Sequence, residues 1–128
     1  MLKKTAAAAA LLAGAAGWWL YLRGGMDAAE AVRRLSGLRV AVELYRQQHG
    51  GRPPASFKDT MRSGELETAP DLKLPGHPRR SGVRDTPAMT VRDTGGWAYV
   101  NDPKSPDFGL VYIDCSHSDA KGRLWSEF

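Results

Sequence analysis

Cys115-Ser116-His117 places a thiol two residues from an imidazole. In an extended segment residues i and i+2 share one face, so the pair has the arrangement of a Cys–His dyad, in which the imidazole takes the thiol proton and frees a nucleophilic thiolate. Such a base needs an orienting group, and the acids beside it are Asp114 and Asp119. A lone cysteine is also commonly a small buried residue. Cys115 is the chain's single cysteine, so it forms no internal disulfide, and in an oxidising compartment its thiol must be buried, capped or paired between chains. Oxygen ligands offer a second chemistry. Asp102, Asp107, Asp114 and Asp119 lie in or beside the C-terminal loops, and carboxylate-rich loops suit Ca²⁺. Their spacing follows the EF-hand pattern only weakly, and Asp-Pro, Asp-Phe-Gly and Asp-x-Lys-Gly are equally ordinary turn formers. Zinc through His77, Cys115 and His117 is the third chemistry, although these residues lack the clustered spacing of the common zinc motifs. We expect no enzymatic activity and no cofactor, with the four aspartates as the calcium candidates.

The composition limits what these residues can serve. At 128 residues, 42% hydrophobic and 25% charged, the chain has room for one small folded domain and is not broadly disordered. Its net charge is +4, but Lys3 and Lys4 precede everything else, and beyond Leu22 sixteen basic groups face fourteen acidic ones. Basic residues of that part are paired only at Arg33-Arg34 and Arg79-Arg80, so nucleic-acid binding, which needs a concentrated basic patch, is not expected.

The elements that must position the candidate residues begin with an apolar segment, Thr5 to Leu22. Its eighteen residues, at ~1.5 Å each, just span a hydrocarbon core of ~30 Å. Lys3 and Lys4 give it a cytoplasmic flank, and Trp18, Trp19 and Tyr21 form an interfacial belt. A signal peptide cut after Ala15 or Ala16 is the competing reading, but it leaves those aromatics at an exposed N-terminus. No Leu-x-x-Cys lipidation pattern is near the N-terminus. We therefore divide the chain into a membrane anchor or signal-like segment at 1–25 and a head at 26–128.

Arg23-Gly24-Gly25 breaks the stem. Asp27 is a helix N-cap with Glu30 three residues on, and Ala28, Ala31, Leu35, Leu38, Val42 and Tyr45 then recur at spacings of three and four. Val32, Ala41 and Leu44 widen this face. His49-Gly50-Gly51 ends the helix, with glycine suited to the left-handed position and His49 to the negative end of the dipole. Proline and glycine punctuate Arg52 to Pro87, where Ser56 to Arg62 reads as a short helix. Beyond Pro87 the period is two: Met89 and Val91, then Trp97 and Tyr99, read as a hairpin around Asp93-Thr94-Gly95-Gly96. Leu110 to Ile113 is a further strand, and Asp119-Ala120-Lys121-Gly122 a turn. The expected fold is α+β, a long N-terminal helix packed on a small antiparallel sheet of three to four strands.

The ordered run Leu35-x-x-Leu38-x-x-Ala41-x-x-x-Tyr45-x-x-x-His49-Gly50-x-x-Pro53-x-x-x-Phe57 resembles the stem-to-head segment of type IV pilin-like proteins and type II secretion pseudopilins. Gly95-Gly96-Trp97-Ala98-Tyr99, Gly109-Leu110-Val111-Tyr112-Ile113 and Asp119-x-Lys121-Gly122-x-x-Trp125 resemble the closing strands and tail of that group. The resemblance implies a structural subunit of a pilus-like or secretion-like system, single-pass in the inner membrane with its head in the periplasm. Its partners would be other pilin-like subunits or the machinery itself. It also adds weight to calcium in the C-terminal loop. Family precursors place Gly, an apolar residue and Glu ahead of the apolar segment. Here that segment contains no Glu, and Gly25-Met26-Asp27-Ala28-Ala29-Glu30, which has that spacing, follows it. Two expectations follow: a start upstream of Met1, or an ordinary anchor that is not processed. The alternative role is a non-polymerising periplasmic binding or scaffold module on a single anchor.

Overall fold

A computed structural model describes residues 2–128, with side chains from Thr5 onward. Helix α1 runs Leu2–Arg23, and its Thr5–Arg23 portion is long and apolar enough to cross a membrane. Residues 24–27 break the helix before α2, Ala28–Gln48. The Asp27 carboxylate accepts from the Glu30 amide at 2.9 Å, but the cap is one-sided. Hydrogen bonds from Arg33 and then Arg34 occupy the Glu30 carboxylate and hold its pKa down to about 2. At the other end, Gly50 and Gly51 have φ of 66° and 82°, and the Gly51 amide donates to Arg46 O at 2.8 Å, satisfying a helix-terminal carbonyl.

The head is α+β. A five-residue helix α3, Lys58–Arg62, precedes strands β1 (Val83–Thr86), β2 (Trp97–Val100) and β3 (Val111–Ile113), and a 3₁₀ turn covers Trp125–Glu127. The sheet is mixed: β2 is central, antiparallel to β3 and parallel to β1. Alternation along the strands divides the buried residues into two sets. Trp97, Tyr99, Val111 and Ile113 join Ala31, Leu35, Leu38 and Val42 of α2 in the main core, with Phe57, Leu72, Leu74, Cys115 and Trp125 around them. Ala98, Val100 and Tyr112 face the other way, under Met89 and Leu110. Arg39 ties α2 to the sheet and the chain end, donating to Val111 O and Phe128 O. Leu44, expected on the core face, lies at its edge and is exposed.

The expected hairpin and the wholly antiparallel sheet do not form. Met89–Arg92 instead crosses the sheet as irregular chain, because side chains take its backbone partners. Tyr112 Oη accepts from the Thr90 amide and donates to Thr90 O. The Asp114 carboxylate accepts from the Arg92 and Thr94 amides and from Thr94 Oγ1. Its remaining neighbour is the Arg84 guanidinium at 3.2 Å. Burial pushes the Asp114 pKa up, yet the Thr94 and Arg92 hydrogen bonds and the Arg84 charge outweigh it and leave the pKa below the ordinary carboxylate value.

Because that folded pKa is depressed, the group's contribution is complete above the ordinary carboxylate pKa and disappears as pH falls through the folded value. Asp114→Asn is expected to lower unfolding free energy at neutral pH by about 2–4 kcal/mol, and to flatten the acid limb of stability. Denaturant titrations across pH check both.

Candidate functional site

The loop between Leu72 and Arg80 is a narrow excursion closed by reciprocal backbone hydrogen bonds of 2.9 Å between those two residues. Gly76 turns its tip with a φ of 83°, and the His77 amide donates to Leu74 O. This geometry directs His77 inward, where it is 7% exposed. Its ring lies against Gly95, at which a Cβ would collide with His77 Cγ. Cys115 follows β3 and is fully buried, and His117 emerges just beyond it.

These elements bring three of the sequence candidates together. His77 Nε2 lies 3.3 Å from Cys115 Sγ, and His117 Nδ1 lies 3.3 Å from the same sulfur. The two imidazoles meet edge to face, with centroids 5.3 Å apart. A fourth group joins them: the ligand atoms of His77, Asp93, Cys115 and His117 all lie within 4.8 Å of one another. Asp93 takes a left-handed φ of 57°, which Asp tolerates better than most residues, and its carboxylate accepts from the Ser116 amide and hydroxyl. The sequence places Asp93 in a hairpin turn, whereas in the structure it lies in irregular chain just before the bend at Gly95-Gly96. Its carboxylate reaches the cluster because the failed hairpin turns back toward the segment after β3.

The electrostatics do not support an activated nucleophile. Burial, and then the nearby Asp93 and Asp114 charges, push the Cys115 thiol up against the His117 amide hydrogen bond, opposite to the shift of an activated cysteine. Burial, then the His117 ring, pushes the His77 pKa down, leaving a neutral imidazole. The Ser116 hydrogen bonds hold Asp93 below the ordinary carboxylate value, so it is ionised at neutral pH. Neither acid named beside the Cys–His pair orients a base. Asp114 serves the 92–94 segment, and Asp119 is bound by the Lys121 and Arg123 amides and the Arg123 guanidinium.

The aspartates considered for calcium are dispersed. Asp102 accepts from the Lys104 amide, and Asp107 belongs to the following turn, where its carbonyl accepts from Leu110. Asp114 and Asp119 are engaged as described. Among the described residues, no three of these four converge as a metal-ligand group. Asp102 and Asp119 accept from amides of their own turns, the role turn chemistry gives to Asp, while Asp114 holds the 92–94 segment.

No family model, curated protein or solved structure matches the chain. The site therefore stands on its geometry alone.

Gly95→Ala is expected to destabilise the protein by about 1–3 kcal/mol more than Gly122→Ala, the usual cost of forcing extra atoms into a packed site. Both positions have positive φ, but only Gly95 faces an obstructing side chain, that of His77. Paired thermal melts separate the collision from the backbone strain common to both.

Proposed function

We propose that the protein is a structural subunit of a pilin-like or pseudopilin-like assembly, anchored in the inner membrane by α1 with its head in the periplasm. The observation that carries this reading is the state of α1, whose apolar side chains find no cover in the protein. Leu11 and Leu12 are 76% and 72% exposed, and Trp18, Trp19 and Leu20 are also open. A contiguous apolar surface of this kind marks a membrane or an association site, and a bilayer or a bundle of like stems would cover it. The aromatic residues at the head end suit the lipid interface, and the Arg23 guanidinium lies 4.4 Å over the Trp19 ring. Val40 and Leu44 are exposed on α2, extending an apolar surface beyond the stem toward neighbouring subunits. Since the apolar segment carries no Glu, contacts between stems would rest on packing rather than on charge pairing. No catalytic step belongs to this role, consistent with the inaccessibility of the Cys115 sulfur.

Photo-crosslinking amino acids placed at Leu12 and at Val40 in cells test it. Adducts from both positions to another anchored subunit, a second copy included, are the expected result. Lipid adducts alone from Leu12, with no protein adduct from Val40, would instead support a solitary anchored scaffold.

A further inference from the structure

We propose that His77, Asp93, Cys115 and His117 bind one zinc ion, which staples three separate segments of the head. A tetrahedral zinc with sulfur at ~2.3 Å and nitrogen at ~2.0 Å holds those ligand atoms about 3.5 Å apart. The two sulfur–nitrogen separations here are both 3.3 Å. Every remaining pair includes Asp93 or His117, both exposed. Rotation of the His117 ring, and movement of Asp93 together with the Ser116 that binds it, close the other distances, none of which exceeds 4.8 Å.

Hydrogen bonding accounts poorly for the convergence. A thiol has a single weak donor and sulfur is a weak acceptor, yet two imidazole nitrogens are directed at it. One of them belongs to His77, which is buried and would give up water for a weak contact. A thiophilic cation satisfies all four groups together. The donor set of one thiolate, two imidazoles and one carboxylate is a borderline-soft one that suits zinc, not calcium or magnesium. Its two negative charges balance the ion. Binding forms the Zn–S bond as the Cys115 thiol proton departs to solvent, and the metal is neither oxidised nor reduced.

The Ser116 hydrogen bonds leave lone pairs on the Asp93 oxygens for the ion, while fixing the carboxylate toward the residue between Cys115 and His117. Gly95 supplies the space in which the His77 ring sits. Two exposed ligands give the ion a way in from solvent, and two buried ones hold it. With four protein ligands the coordination is closed, which marks a structural site rather than a catalytic one.

The test uses the full chain in detergent, stripped with a chelator and with its thiol confirmed free by mass. Co²⁺ should bind at one equivalent, giving a thiolate-to-metal charge-transfer band and the visible bands of a tetrahedral ion, and Zn²⁺ should displace it. At a hundredfold excess over its Kd, Zn²⁺ should raise the melting temperature by more than about 5 °C. Cys115→Ser should abolish the charge-transfer band. Should that variant fail to fold, His117→Ala replaces an exposed ligand and is expected to weaken Zn²⁺ binding by about tenfold or more, at least the cost of losing an outer partner. Asp102→Ala should change nothing. A cobalt complex without the thiolate band, unchanged affinity in His117→Ala, or a melting temperature unmoved by Zn²⁺ overturns the proposal.

Discussion

The Lys73 side chain lies inside the protein, only 5% exposed, with its ammonium group among the carbonyls of Leu22, Gly24 and Leu74. Leu22 and Gly24 are where α1 ends, and a helix leaves its last carbonyls without internal partners. Supplying a cation there answers both the hydrogen-bonding deficit and the negative end of the dipole. Around it the backbone completes the joint. The Gly76 amide donates to Leu22 O, and the Met26 amide donates to Lys73 O at 2.8 Å. Gly25 has no Cβ because Pro75 would lie 2.6 Å from one. Tyr21 closes the remaining side, with its ring 4.9 Å from Lys73 Nζ and its hydroxyl accepting from the Arg79 amide. The stem is thereby fastened to the head by side-chain and backbone contacts, and not only by the four connecting residues 24–27.

The same short loop does two jobs. Between its closing residues Leu72 and Arg80 it presents Lys73 to the stem and His77 to the ligand cluster. An ion held by His77, Asp93, Cys115 and His117 would join this loop to the 87–96 segment and to the chain after β3. It would stiffen the part of the head that grips the anchor. Such support has physical value in a small domain whose sheet has only three short strands, since small cores commonly need a staple. In an assembly, where contacts load the head against its stem, that joint would carry the strain.

Local signals made the helical half legible in the sequence. Asp27 and Gly50-Gly51 bound α2 because capping and left-handed termination are decided by adjacent residues. The strand at Val111–Ile113 was equally readable as an apolar run. The strand at Val83–Thr86 was not: it is only partly buried, and its parallel register with Trp97–Val100 depends on tertiary contact. The hairpin read around Asp93–Gly96 is absent, and the chain only bends at Gly95-Gly96, because Tyr112 and Asp114 capture the backbone groups a partner strand would need. The site shows the same division. Cys115 and His117 are neighbours in sequence, whereas His77 lies 38 positions from Cys115, beyond any local spacing rule. The hint lay in Gly95, whose missing side chain makes room for a ring that only the fold brings there.

A membrane-held stem bearing an extracytoplasmic head can be tested with a membrane-impermeant maleimide. Lys121→Cys places a thiol on an exposed loop, and the parent serves as the blank because its one cysteine is buried. This variant is expected to stay with membranes through an alkaline carbonate wash and to be labelled in intact spheroplasts as fully as after lysis. Labelling only after lysis, or release of the protein by the wash, would contradict it.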